Sequence, residues 1–311
     1  MLLLWWCQKL IVNIDIGKVI KNLRKFSNMS QKDLAEGICT QAHISKIENS
    51  NEVPSAILLY QLAKKLGVDM NYFFDIAENP RLDYIRDVYH LIRYYIRERD
   101  YEAVHNIIKA EQKNPLFFST EHKQFFLWHE AICEFYLNKN DTKSIEKLNF
   151  ALRLTYYSRN RLMKEREIEI SNSIAILYKE KGDYDEAITL YNSLLEHIRL
   201  IENPRDLTIR LRIEYGLGKA YTDIGEYEKS LDICKKGISY ALKNEVLYLL
   251  GELYYQCASN YFRLDDFLNG DIYIKKSITT FDIQGNDKMV ESVKLMEIHL
   301  KNTGTLDIPA K

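Results

Sequence analysis

Ile16, Val19, Ile20 and Leu23 fall at i, i+3, i+4 and i+7, the apolar stripe of an amphipathic helix, while Lys18, Lys21, Arg24 and Lys25 cover its other faces. This helix ends near Ser27-Asn28. Ser30-Gln31-Lys32-Asp33 has the form of an N-cap with an acid three residues on, and Leu34, Ala35 and Ile38 supply a short second helix. Thr40 caps a third helix over 41–49, with Ile44 and Ile47 inward and Gln41, Ala42, His43, Ser45 and Lys46 outward. Pro54-Ser55 opens a fourth, whose Ile57, Leu58, Leu62 and Leu66 form the core face, and Gly67 closes it. Four or five short helices in under sixty residues predict a small bundle over 15–72. A linker at 73–84 follows, overlapping a hinge that runs from Tyr72 to Leu82, in which Asn79-Pro80 interrupts the helix.

Beyond residue 85 the pattern repeats. Lys181-Gly182-Asp183-Tyr184, Ile224-Gly225-Glu226-Tyr227 and Leu264-Asp265-Asp266-Phe267 are copies of one turn, with weaker copies at Arg99-Asp100-Tyr101 and Asn140-Asp141-Thr142. Six residues before the last residue of each copy stands a tyrosine: Tyr95, Tyr136, Tyr178, Tyr221 and Tyr261, at successive spacings of 41, 42, 43 and 40. Five helical hairpins over 85–300 follow from this period, with each ring filling the space between the two helices of its own hairpin. Residues 1–14 are then an extension and 301–311 a tail.

Composition narrows the class. Gly at 12 and Pro at 5 are low for 311 residues, against turn-rich all-β folds, and the 22 tyrosines are accounted for in part by the repeat. A net charge of −1 gives no chain-wide pull toward nucleic acid or anionic membrane, so DNA binding has to be local. No apolar run is long enough to span a membrane. Met1-Leu2-Leu3-Leu4-Trp5-Trp6-Cys7 lacks a basic n-region and a cleavage site. It reads as an upstream start or an appended extension, or else as a segment packing on a partner. Cys7, Cys39, Cys133, Cys234 and Cys257 show no C-x-x-C spacing and read as reduced thiols, so neither a metal nor a cofactor is expected. Enzyme signatures are missing as well. There is no phosphate-binding glycine loop and no G-x-S-x-G, and His129-Glu130 lacks a second metal-spaced His.

Ser30-Gln31-Lys32-Asp33-Leu34-Ala35, Ile44-Ser45-Lys46-Ile47-Glu48-Asn49 and Val53-Pro54-Ser55 resemble the helix-turn-helix family of the lambda and 434 repressor type. The resemblance implies that the third helix enters the major groove. Gln41 is the candidate base reader, since Gln pairs bidentately with adenine N6 and N7. Thr40, His43, Ser45 and Lys46 are candidates for further base or phosphate contacts, and Gln31 for the backbone clamp. Over 15–65, eight basic residues stand against five acidic ones, a local charge of +3. The competing reading is a helical protein-interaction module.

Ala175, Tyr178, Gly182, Tyr184 and Ala187, and likewise Gly218, Tyr221, Gly225, Tyr227 and Ser230, resemble the tetratricopeptide repeat at a longer period. Stacked hairpins of this kind form a right-handed α-solenoid whose first helices line a groove suited to extended peptides. The register places Tyr89, Glu130, Asn172, Tyr215 and Tyr255 in one inward row, with Arg86, Leu127, Glu169, Arg212 and Glu252 three residues earlier and Arg93, Glu134, Ile176, Lys219 and Ser259 four residues later. Tyr89, Glu130, Glu169, Asn172, Arg212, Tyr215, Lys219 and Tyr255 are the candidate peptide-binding residues. Asn172 can accept from and donate to one peptide unit, or simply face solvent, and Arg212 and Lys219 can take a ligand carboxylate or be solvated.

Together the two domains resemble the peptide-responsive regulators of Gram-positive bacteria, the RRNPP group, and most closely its PlcR type through Ile38-Cys39-Thr40-Gln41 and Gln124-Phe125-Phe126-Leu127-Trp128. The resemblance implies an all-α cytoplasmic homodimer that binds palindromic double-stranded DNA and acts as a transcriptional activator in quorum sensing, switched by a short peptide. It also implies a peptide-contacting asparagine in the third repeat, matched by Asn172, and another in the fourth, where Gly216 stands instead. The alternative is a ligand-independent regulator whose repeats bind a protein partner.

Overall fold

The computed structural model describes residues 15–78, 82–156 and 162–303. The extension 1–14 with Cys7, the Asn79-Pro80 interruption and positions 304–311 of the tail lie outside these residues. The described residues contain sixteen α-helices and no strand, so the fold is all-α. The chain divides into two compact units, one running to residue 98 and including 114–117, the other comprising 99–113 and the chain from 118 onward.

The first unit contains α1 (Ile16–Phe26), α2 (Gln31–Ala35), α3 (Gln41–Glu48), α4 (Ala56–Leu66), α5 (Met70–Glu78) and α6 (Leu82–Arg97). The first four starts have a side-chain reason. Asp15 accepts from Lys18 N, Ser30 and Asp33 form a reciprocal capping box, and Thr40 and Ser55 cap α3 and α4. Gly37 takes φ +76°, turning the chain between α2 and α3 as a residue with a Cβ rarely does. Ile20, Leu34, Ile44, Ile47 and Leu62 are completely buried together with Phe73. Two expectations change. Phe73, placed in the linker, lies on α5 and seals this core. Ile57 is 75% exposed, its expected core place being taken by Leu59 and Ala63 on the same helix.

α1 and α3 are held together by charge as well as by apolar packing. Arg24 donates to both Glu48 oxygens, Nε to Oε1 at 2.5 Å and Nη2 to Oε2 at 2.9 Å, and also to the Met29 carbonyl at 2.7 Å. Burial pushes the Glu48 carboxyl up, but the Arg24 and Gln31 hydrogen bonds and the Arg24 charge outweigh this and hold it below its ordinary value.

The second unit starts with α7 (Tyr101–Glu111) and continues as four antiparallel pairs: α8 (Thr120–Asn138) with α9 (Asp141–Arg153), α10 (Glu165–Lys181) with α11 (Tyr184–Arg199), α12 (Thr208–Asp223) with α13 (Tyr227–Lys243) and α14 (Leu250–Arg263) with α15 (Phe267–Ile283). α16 (Asp287–Thr303) closes the stack. α6, expected as the first helix of the first hairpin, falls with Tyr89 and Tyr95 in the first unit. Each second helix packs on the first helix of the next pair, and the first helices α8, α10, α12, α14 and α16 also touch in succession, which makes them the inner row.

The turns define the register. Arg99, Lys139, Gly182, Gly225 and Asp265 all take positive φ, and the residue after each holds the N-cap position of the following helix, where the Asp100, Asn140 and Asp266 side chains accept a backbone N–H and those of Asp183 and Glu226 do not. In the second repeat this turn comes one residue earlier, relative to Tyr136, than the tyrosine pattern predicts. Counted back from Lys139, Phe135 holds the place of Tyr178 and Tyr221, and His129 that of Asn172. Tyr136 itself stacks on Tyr101 of α7, with centroids 4.3 Å apart and planes 5° from parallel, instead of filling its own hairpin. Tyr261 lies 5.3 Å from Tyr273 of its own hairpin, as expected.

Because the folded-state pKa of Glu48 is depressed, the stability it contributes is complete above its unfolded value, near pH 4.3, and is lost as the pH falls through the folded-state value. Arg24→Met should cost about 3–5 kcal/mol at neutral pH. It should also invert the local acid response, because the orphaned buried carboxylate then titrates above its ordinary range. Hydrogen exchange of segments 16–26 and 41–48 between pH 4 and pH 7 is the measurement, with faster exchange in the variant at pH 7 and partial recovery on acidification.

Candidate DNA-reading and ligand-binding sites

The outward face of α3 is set by Ile44 and Ile47, which turn into the core and leave Gln41, Ala42 and Lys46 exposed and His43 and Ser45 half-buried. Gln41 Nε2 donates to Gln31 Oε1 at 2.8 Å, and Gln31 Nε2 donates to Glu48 Oε2 at 2.9 Å. Gln41 is therefore the tip of a chain that runs through Gln31 and Glu48 to Arg24. Gln31, Gln41, Ser30, Lys32 and Arg24 line one surface depression. The Thr40 hydroxyl accepts from His43 N at 3.2 Å and so serves the helix cap, and His43 Nε2 lies 3.0 Å from Glu52 Oε1. Glu48 and Arg24, which orient the glutamines, were not singled out by the sequence pattern, where each reads as an ordinary charged residue on a helix.

In the second unit the inner helices bring Glu169 and Asn172 of α10, Arg212, Tyr215 and Lys219 of α12, and Tyr255 of α14 onto adjoining faces. Tyr89 belongs to the first unit. Glu130 is not part of this set, since its carboxylate meets Lys147 of α9 at 3.1 Å. The one-residue slip in the second turn explains this, because it rotates α8 by about 100° relative to the expected register. His129, which takes the inner place, is buried with Nδ1 2.8 Å from the Phe125 carbonyl oxygen.

Asn172 is 4% exposed, and its Oδ1 is buried with no hydrogen-bond partner among the described residues. An unpaired buried amide oxygen costs about 1–3 kcal/mol, so a donor arriving from outside is stabilised here. Arg212 is already engaged. Its Nη2 donates to Glu169 Oε1 at 2.9 Å and to Asp206 Oδ2 at 3.1 Å, and its guanidinium lies 6.0 Å from the Tyr248 ring centroid. Asp206 and Tyr248 flank the inner helices and carry no repeat signature, which is why the pattern passed over them. Lys219 Nζ stands 5.8 Å from the Tyr215 ring centroid, and burial holds its ammonium below the ordinary lysine value. Burial also raises the Tyr215 phenol, with the Glu252 charge adding to the effect, and pushes the Tyr255 phenol up to about 12. Gly216, read as standing where a second asparagine is expected, faces the opposite way. A Cβ there would run into the Tyr191 ring of α11, so this position belongs to the packing between helices.

Cys133, Cys234 and Cys257 are buried and free, and burial pushes the Cys133 thiol up to about 12. No group of three or more potential metal ligands occurs among the described residues, and none of the described helices is long and apolar enough to cross a membrane.

Comparison with known proteins separates a DNA-binding module from a repeat module, with the second match beginning inside α6. Residues 20–73 match a helix-turn-helix family and residues 90–298 match the RNPP family C-terminal domain. Over 67 residues, 21% of this chain, the sequence is 36% identical to the competence pilus inhibition repressor of Acinetobacter baylyi, and the match spans 61% of that protein's length. In structure the chain is similar to PlcR of Bacillus thuringiensis in complex with the peptide PapR7 and DNA, with a TM-score of 0.82 and 23% identity over 90% of this chain and 99% of that one. It is also similar to ComR of S. thermophilus in complex with DNA and its signalling peptide, with a TM-score of 0.67 and 16% identity over 92% and 99%. The SHP pheromone receptor Rgg2 of Streptococcus dysgalactiae gives a TM-score of 0.59 and 14% identity over 92% and 99%. The RNPP domain accounts for more than half of the chain, and the protein belongs to the RNPP family.

Proposed function

We propose that this protein is a transcription regulator, not an enzyme, that acts in the cytoplasm as a homodimer on palindromic double-stranded DNA and is switched in quorum sensing by a short peptide bound along α10, α12 and α14. The observation that carries the reading is the unpaired, buried Asn172 Oδ1 on the inner helix row of an RNPP-family repeat domain. A backbone amide of an extended peptide is the donor that such an oxygen lacks, and backbone recognition serves peptides of differing side chains. Solved structures of similar fold, PlcR with PapR7 and ComR with its signalling peptide, hold peptide and DNA together. At the DNA end, Gln41 reads a base edge while Gln31 orients it, and Lys46 and Ser45 lie on the same face for phosphate. His43, tied to Glu52, contributes at most after releasing that acid.

Two half-sites on successive major grooves lie about 34 Å apart. A peptide therefore changes operator affinity if it favours one arrangement of the dimer, and only by as much as it favours it.

An operator selected from random duplexes supplies the assay. Gln41→Ala should weaken binding to that operator by about 10–100-fold for each half-site, corresponding to about 1–3 kcal/mol per lost contact, and relax preference at one base pair of each half-site. Lys46→Ala should weaken binding to all duplexes alike and reduce the salt slope by about one per half-site. Asn172→Ala should leave peptide-free DNA affinity as in wild type and abolish the response to peptides recovered with the protein from its host. If Asn172→Ala instead changes capture of a protein partner while the DNA response persists, the repeat domain is a protein-docking module.

A further inference from the structure

The inner row carries several charges, and most are already neutralised. Arg212 is closed by Glu169 and Asp206, Lys179 lies 2.9 Å from Glu180 and 3.6 Å from Asp223, and Arg210 lies 2.9 Å from Glu214. Two groups differ. Glu252 of α14 has Oε2 buried without a hydrogen-bond partner and no cation within 4.0 Å among the described residues, and Lys219 of α12 has no acid within that distance. They are of opposite sign, and both bear on Tyr215. Lys219 Nζ stands over its ring, and the Glu252 charge acts on its phenol.

Their places in the register give a length and a direction. Glu252 belongs to the row three residues before the Tyr215 and Tyr255 row, and Lys219 to the row four residues after it. Seven residues of helix advance about 10 Å, and neighbouring helix axes lie about 8–10 Å apart. The diagonal is about 13–14 Å, which four residues of extended chain cover at ~3.3 Å each.

Building on the peptide-binding reading above, we propose that the inner row takes a linear peptide in one fixed orientation, with a cationic group, its N-terminal ammonium or a basic side chain, on Glu252 and a carboxylate about four residues further along on Lys219. Asn172 holds the backbone and does not sense the direction of the chain. The two unpaired charges do sense it, because a peptide bound in reverse would place like charges together. Both groups gain from an arriving counter-charge. Burial holds the Glu252 carboxyl above its ordinary value and the Lys219 ammonium below its own, and a bound counter-ion relieves each. Arg212, the more obvious carboxylate receptor in the sequence, has no such role, since its two acids already occupy it.

The test uses the full-length protein and a pool of randomised synthetic tetra- and pentapeptides in three forms: free termini, N-acetylated and C-amidated. Bound species are read by native mass spectrometry for wild type, Glu252→Gln and Lys219→Met. Wild type should capture free-termini peptides at least tenfold over C-amidated ones that lack Asp and Glu, and over N-acetylated ones that lack Lys and Arg. Glu252→Gln should lose only the preference against acetylation, and Lys219→Met only the preference against amidation. Without peptide, Glu252→Gln should melt at a higher temperature than wild type, because it removes an unpaired buried charge. A lower melting temperature would make Glu252 a structural residue and overturn the proposal. Capture with the same preferences in wild type and both variants would overturn the orientation while leaving peptide binding intact. If no form is captured by any of the three proteins, peptide binding itself fails, and the orientation with it.

Discussion

An inner helix of a stacked repeat is covered by neighbours on both sides, so each polar group on it is satisfied by another group of the stack or by something that enters from outside. Most of the second unit takes the first course. The Thr222 hydroxyl of α12 lies 2.9 Å from Ser230 Oγ of α13 and 2.8 Å from Asn260 Oδ1 of α14, and it accepts from Gln256 Nε2 at 2.6 Å. One buried polar cluster thus joins three helices that the apolar core also joins. Between the preceding repeats Trp128 Nε1 donates to Ser173 Oγ at 2.8 Å, and Gln124 Nε2 donates to Thr155, whose hydroxyl donates to Glu167 at 2.7 Å. Among the few buried side-chain atoms of this unit's described residues left without a hydrogen-bond partner, which include Tyr191 Oη, His197 Nδ1 and Glu214 Oε2, Asn172 Oδ1 and Glu252 Oε2 belong to the predicted inward rows, where a partner can come from outside.

Close packing of the same helices places some of the few glycines. Gly216 lies under the Tyr191 ring, Gly251 under Phe281 and Gly270 under Phe262, each where a Cβ would overlap the aromatic ring. The large rings of one helix are accepted by the bare backbone of the next, which lets helix pairs approach closely while keeping aromatic side chains inside. Gly17 does the same in the first unit, where a methyl group would strike the Ile47 carbonyl. α1 and α3 therefore touch backbone to backbone there, and the Arg24–Glu48 pair ties the same two helices.

Helix periodicity and caps were legible in the sequence because they depend on neighbours three or four residues away. Ser30, Thr40 and Ser55 cap the helices assigned to them, and Gly67 ends α4 in the left-handed region. The candidate sites were legible only in part. A tyrosine count located four of the five turns, but at the second the positive-φ residue is Lys139, which carries no turn signature of its own, and the one-residue error moved Glu130 from the inner row to a pairing with Lys147. Arg212 failed as a free carboxylate receptor for a related reason. Its partners, Glu169 one repeat earlier and Asp206 at the foot of its own helix, are set by tertiary approach, and a count of charges along a row cannot see which of them are already paired.

The glutamine chain of the first unit carries the same distinction between occupied and open valences. Gln41 spends one N–H on Gln31, which leaves its second N–H and its carbonyl oxygen. Adenine in the major groove offers N7 as acceptor and N6–H as donor, so bidentate pairing asks for one donor and one acceptor. Gln41 can therefore meet the base without breaking its bond to Gln31, and the bond removes rotational freedom that a solvated glutamine would lose on binding. That restraint is only as firm as its anchor, since Gln31 is held by Glu48 and Glu48 by Arg24 in the core. The stability of the bundle and the readiness of its reading residue thus rest on one ion pair, and a change at Arg24 reaches the DNA face without any residue on that face being altered.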